Sequence, residues 1–111
     1  MNEEKMMISG LENGAGAALY DAISNCAKAM LDFWGPEDNM TFEQKTVLKL
    51  FEHWSYTVSA ANRGWSGPIT DAGLFNILLA AEEVREIDAA LNSELLIACT
   101  DYHFSREGGE L

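Results

Sequence analysis

Hydrophobic residues recur along this chain at three- and four-residue spacing, the period of one face of an α-helix, in three long segments. In the first, Leu19, Ile23, Cys26, Met30, Phe33 and Trp34 fall on one face, and Asp21, Ser24, Asn25, Lys28 and Asp32 fall on the other. Asn13-Gly14 marks its start and Gly35-Pro36 its end, the latter a pair that cannot continue a helix. The interspersed Ala17, Ala18, Ala22, Ala27 and Ala29 favour helix and let neighbouring helices approach closely.

The second segment begins at Thr41, whose hydroxyl can cap the first turn, with Gln44 placed to complete a capping box. Val47, Leu50, Phe51, Trp54, Val58 and Ala61 then share a face, and Arg63-Gly64 closes the helix. Lys45, Lys49, Glu52 and Tyr56 lie on the far side, so Tyr56 is an aromatic ring that the core does not claim. Gly64-Trp65-Ser66-Gly67-Pro68 reads as a turn-rich connection. The third segment starts with Thr70 as N-cap and Asp71 in the first turn, where a carboxylate complements the helix dipole.

From there Leu74, Ile77, Ala81, Val84, Leu91, Leu95, Ala98 and Tyr102 stay in phase along one stripe. At about 1.5 Å per residue, one helix from 70 to 104 would run about 50 Å. A compact domain of this size spans only about 35 Å. The length therefore favours a break near Asn92-Ser93, with Ser93 as a new cap, whereas the unbroken phase favours a helix that overhangs onto another subunit. No β-alternation is present, and the expected fold is all-α, a bundle of three to four helices occupying residues 13–105. Residues 1–12 read as a flexible arm and 106–111 as a flexible tail.

One apolar set exceeds what a core needs. Phe75, Leu79, Ile97 and Phe104 lie opposite the core stripe of the third segment, interleaved with Glu82, Glu83 and Glu86. A helix at the edge of a small bundle should be polar there. Either the first two helices cover this stripe from both sides, or another chain does. Trp65 and Tyr56 point the same way, because interfaces favour aromatic anchors.

Composition narrows the function. The 111 residues carry 18 acidic and 7 basic side chains, a formal charge of −11, which opposes unaided binding to nucleic-acid phosphates or an anionic membrane. No apolar run approaches the roughly 20 residues of a membrane-spanning helix. The acidic opening Met1-Asn2-Glu3-Glu4-Lys5 and the short Met6-Met7-Ile8 patch do not fit a secretion signal. The expected location is the cytoplasm, with Cys26 and Cys99 as reduced, buried thiols.

Candidate chemistry is thin. Cys99 and His103 are four apart and could share a zinc ion, but the other ligands, Cys26 and His53, would come from separate helices without a close pair. Glu52-His53 and Asp101-Tyr102-His103 are sequence neighbours that do not face one another on a helix. Gly14-Ala15-Gly16 lacks the third glycine and the preceding strand of a dinucleotide loop. No cofactor, metal or catalytic activity is expected. The file of Glu82, Glu83 and Glu86 could imitate DNA phosphates toward a basic partner, although charge also keeps a small sticky protein soluble.

The stretches Ala18-Leu19-Tyr20-Asp21-Ala22-Ile23-Ser24-Asn25-Cys26 and Gly64-Trp65-Ser66-Gly67-Pro68-Ile69 resemble the small helical antiactivators of bacterial quorum sensing. The resemblance implies a non-enzymatic, self-associating protein that binds the ligand-binding domain of a LasR-like, LuxR-type transcription regulator. By covering the regulator's dimerisation surface it would keep the regulator from gripping DNA as a dimer. The resemblance assigns no contact residues. The pattern itself nominates Tyr56, Trp65, Ile69, Phe75 and Leu79 as partner anchors, with Glu82 and Glu86 at their edge. The competing expectation is an acidic phage-type inhibitor of a nucleic-acid-binding complex, of the anti-CRISPR or DNA-mimic class.

Overall fold

A computed structural model describes residues 14–108, the side chains of 106–108 excepted. They form four helices, α1 (Ala15–Trp34), α2 (Phe42–Asn62), α3 (Asp71–Arg85) and α4 (Ala89–Gly108), with a single 3-10 turn at Glu37–Asn39. No strand occurs among the described residues, and the fold is the all-α bundle the periodicity predicts. The arm expected at 1–12 lies outside the described residues, and α4 continues to Gly108, into the expected tail.

The helix ends follow local chemistry. Thr41 Oγ1 accepts from the Gln44 backbone N–H at 3.1 Å while Gln44 Oε1 accepts from the Thr41 N–H at 2.9 Å, a complete capping box. Thr70 Oγ1 likewise accepts from Gly73 N–H at 3.1 Å and opens α3. At the far end of α2, Gly64 adopts φ 81°, its N–H donates to Ala61 O, and the Trp65 N–H donates to Ala60 O. That pair of reversed bonds is a Schellman closure, and it needs the left-handed residue that glycine supplies without strain.

The helices assemble as two hairpins. Ser24 Oγ and Ser55 Oγ, 2.9 Å apart, tie the middles of α1 and α2. Near the ends, Gly16 lies so close to Asn62 that a Cβ there would sit 2.3 Å from Asn62 Oδ1. In the second hairpin, Asn92 Nδ2 donates to Ala81 O at 2.8 Å and His103 Nδ1 lies 2.9 Å from Asp71 Oδ1. These ties fix both pairs as antiparallel. The hairpins meet mainly through α1 and α4, whereas α2 and α3 touch only briefly. Leu19, Ile23, Cys26 and Met30 of α1, Leu48, Phe51 and Val58 of α2, Leu74, Ile77 and Val84 of α3, and Leu95 and Cys99 of α4 are the buried core.

Three expectations need correction. The chain breaks at Glu86–Asp88 and not near Asn92-Ser93. Asp88 is the cap, its carboxylate accepting from the Ala90 N–H at 2.9 Å, and Asn92 serves as the side-chain fastener to α3. In α2, Leu48 is fully buried while Leu50 is half exposed, because the serine tie turns the Leu48–Ser55 side of the helix toward α1. Ile69, nominated as a partner anchor, lies in the core at 8% exposed, and its N–H donates to the Tyr102 hydroxyl at 3.0 Å.

The fully buried Ile23 and the Tyr102–Ile69 bond make separable stability predictions. Ile23→Ala should lower unfolding free energy by about 3 kcal/mol through lost transfer energy and an unfilled cavity. Tyr102→Phe should cost about 1 kcal/mol, the net value of one buried hydrogen bond. Urea denaturation of the two variants, with unchanged slope, measures both.

Candidate surface for partner binding

The apolar surplus noted in the sequence stays uncovered in the folded chain. Phe75 is 60% exposed and Leu79 is 58% exposed, and Ile97 and Phe104 are comparably open. α3 packs broadly on α4 and only briefly on α2, which leaves Phe75 and Leu79 uncovered, whereas Ile97 and Phe104 lie on the side of α4 away from its buried stripe of Leu95, Ala98, Cys99 and Tyr102. At 3.6 residues per turn, Phe75, Leu79, Glu82 and Glu86 fall within an arc of roughly 60° on α3, opposite Leu74, Ile77, Ala81 and Val84. The ties at Asp71–His103 and Ala81–Asn92 set the register between α3 and α4. They place Leu96, itself half exposed, level with Leu78 and so between Phe75 and Leu79 along the hairpin. Leu96 was not nominated from the sequence. Its neighbours Leu95 and Ile97 point 100° to either side of it, and only the hairpin register shows which way it faces.

The remaining nominees do not join this surface. Tyr56 is exposed on α2, about 105° round that helix from the side lined by His53, Trp54 and Thr57 that approaches α3. Trp65 is exposed at the α2 closure, with the Arg63 guanidinium 5.1 Å above its ring. Its position follows from the Schellman geometry, in which the residue after the glycine packs back on the last turn. Glu82 is engaged by the Arg85 side chain, and that contact holds the guanidinium pKa above its ordinary value.

Charge is divided unevenly between the hairpins. Residues 71–105 hold Asp71, Glu82, Glu83, Glu86, Asp88, Glu94 and Asp101 against Arg85 alone, seven against one, or −6. Residues 14–70 hold six acidic side chains (Asp21, Asp32, Glu37, Asp38, Glu43, Glu52) against four basic ones (Lys28, Lys45, Lys49, Arg63), or −2. The uncovered apolar surface thus lies on the strongly acidic half of the molecule.

Between α2 and the start of α3, where the two helices part, an open groove of about 280 Å³ is lined by His53, Trp54, Thr57, Pro68, Ile69 and Ile77 among others. Its polar groups serve local structure: the Thr57 hydroxyl donates to His53 O at 2.9 Å, and Thr70 caps α3. The second histidine pairs with a carboxylate that sequence adjacency could not indicate, Asp71 of another helix, and this pair pins α4 to the first turn of α3. Among the described residues no group of three or more histidine, cysteine, aspartate or glutamate side chains is placed to hold a metal ion. No helix of the described residues is long and apolar enough to cross a membrane.

Cys26 and Cys99 are free and buried. Burial pushes the Cys26 thiol up to about 12, with the Glu94 carboxylate adding to the shift, and burial pushes Cys99 up to about 11. Both are protonated and unreactive at neutral pH. Comparison with protein-family models, curated proteins and solved structures finds no match for this chain.

The raised thiol values predict an alkaline loss of stability. The folded state holds the protons more tightly than the unfolded chain, whose thiols titrate near 9.0. Stability from this source is complete below that value and declines as pH rises from there toward 11 and 12. Urea midpoints measured from pH 8 to 10.5 should fall with pH in the native sequence and fall less in Cys26→Ala. A thiol-reactive dye at pH 8 should label neither cysteine until denaturant is added.

Proposed function

We propose that the chain is a non-enzymatic inhibitory binding protein that sequesters a LuxR-type quorum-sensing activator by covering its dimerisation surface. The observation that supports this reading is the uncovered apolar face of the α3–α4 hairpin. Phe75, Leu79 and Leu96 are exposed side chains on regular helices, so the fold presents them without needing them. Aromatic and aliphatic anchors on a rigid helical face suit competition for a surface that is itself apolar, such as the seam of a dimer. The class of partner comes from the resemblance in residues 18–26 and 64–69.

Within this reading Phe75 and Leu79 carry the affinity. Tyr56 and Trp65, on other faces, contribute little to the same contact, and Ile69 contributes only through the fold. Carboxylates around the anchors, Glu82 and Glu86 first, set the approach of a basic partner and act more on the association rate than on the lifetime of the complex. Acidic mimicry of nucleic acid is the competing reading, favoured by the −6 carried on one hairpin. It requires affinity to follow the charges and to be indifferent to the apolar side chains.

Mixing the purified protein with a LuxR-type ligand-binding domain and measuring mass by light scattering after size exclusion tests the proposal. The expected result is a peak of mixed composition in place of the regulator's own dimer, with affinity reduced by about 2 kcal/mol, some thirtyfold, in Phe75→Ala. Unchanged elution of both proteins at micromolar concentration overturns it. Retention of full affinity in Phe75→Ala, with steep loss in 0.5 M salt, transfers the assignment to mimicry.

A further inference from the structure

At the α2–α3 connection an exposed indole stands beside an open apolar groove that it does not line. We propose that Trp65 of one copy of the chain enters the α2–α3 groove of a second copy, and that the exchange is reciprocal, a two-fold dimer that leaves Phe75 and Leu79 uncovered.

Charge selects this surface first. In a protein of net charge −11, two copies can approach closely only where carboxylates are few. Residues 53–70 are the longest stretch of the chain without an acidic side chain, and they supply eight of the groove's lining residues as well as Trp65. Asp71, at the border, is engaged by His103. Shape and chemistry then select the occupant. At about 280 Å³ the groove falls below the roughly 300–1,000 Å³ of small-molecule sites and suits one large side chain. Val58, Ile69 and Ile77 give it a buried apolar floor. The Thr57 hydroxyl spends its hydrogen on His53 O, so its oxygen keeps lone pairs for an indole N–H, the donor a buried tryptophan must satisfy. Trp65 is 67% exposed, and it is held ready by its N–H bond to Ala60 O and by the Arg63 guanidinium over its ring. The same closure turns it back on α2 and away from its own groove. Because anchor and groove adjoin on one surface, a two-fold axis between them seats each Trp65 in the other copy's groove. Phe75 and Leu79 lie on the opposite side of α3 from Ile77 and stay outside the contact.

Sedimentation velocity of the full chain, from micromolar to submillimolar concentration, tests this. The native chain should pass from monomer to dimer. Trp65→Ala and Thr57→Phe, which fills the groove and removes the acceptor, should each weaken dimerisation about tenfold or more, and Phe75→Ala should leave it unchanged. An equimolar mixture of Trp65→Ala and Thr57→Phe should dimerise better than either variant alone, because the mixed pair keeps one Trp65 in one open groove. Circular dichroism checks that each variant stays helical. A chain that is monomeric throughout overturns the inference, as does a dimer indifferent to Trp65→Ala or a mixture no better than its components. Loss of the dimer in Phe75→Ala would place the contact on the α3–α4 face and overturn it too. None of these outcomes bears on capture of a LuxR-type regulator, which is measured separately.

Discussion

The packing of α1 against α4 is the contact on which the molecule depends. It is the broad seam between two hairpins, each of which buries only part of its apolar surface internally. Leu19, Ile23, Cys26 and Met30 turn toward that seam from one side, and Leu95, Ala98, Cys99 and Tyr102 from the other. Alanine and cysteine at these positions let the helix axes come close, so small residues set the geometry while Ile23, Met30 and Leu95 supply the burial. Because α1 lies between α2 and α4, Leu19, Ile23, Cys26 and Met30 of its apolar face are fully buried. The consequence falls on α3, which has α4 on one flank and only a brief contact with α2 on another. The exposure of Phe75 and Leu79 therefore follows from the topology of a four-helix chain whose second and third helices barely meet.

Much of this was legible in the sequence, for identifiable reasons. Thr41 with Gln44, Thr70 with Gly73, and Gly64 after Arg63 are local rules, satisfied within one turn of chain, and each reads the same in the sequence as in the fold. The core phase of α1, α3 and α4 was legible because each buries a single stripe. In α2 two leucines, two positions apart, compete for the buried side. Leu48 and Leu50 are equally apolar, and the choice between them is made by Ser24, 31 positions away from Ser55. Phe33 illustrates the complementary limit: periodicity gives the direction of a side chain but not whether a neighbour stands at that level, and Phe33 remains exposed in the last turn.

The break between α3 and α4 was expected in the right segment and at the wrong residue. Val84 and Leu91 are seven apart, so a stripe drawn through them keeps helical phase across the turn and hides it. The signal that could have located the turn was Asp88 ahead of Ala89-Ala90-Leu91, an acidic N-cap before an apolar run. Asn92 looked like a breaker because asparagine is poor in helix interiors, yet its amide is what fastens the two helices at Ala81. Ile69 was misassigned for a related reason. A lone apolar residue in a Gly-Pro segment reads as surface, and the Tyr102 hydroxyl that draws it inward comes from 33 residues downstream.

An apolar face of this kind must be reconciled with solubility, and here charge and topology act together. A small protein that leaves several large apolar side chains open on one hairpin would associate with itself unless something opposed it. Scattered surface charge raises repulsion generally, but it does not decide which surfaces may pair. Glu82 and Glu86 share the arc of Phe75 and Leu79, so the apolar patch is bordered by hydrated carboxylates that limit its contiguous area. Arg85, the one lysine or arginine of residues 71–105, pairs with Glu82 within its own helix. In the function proposed above, the acidity of this hairpin serves the approach of a basic partner as well as solubility.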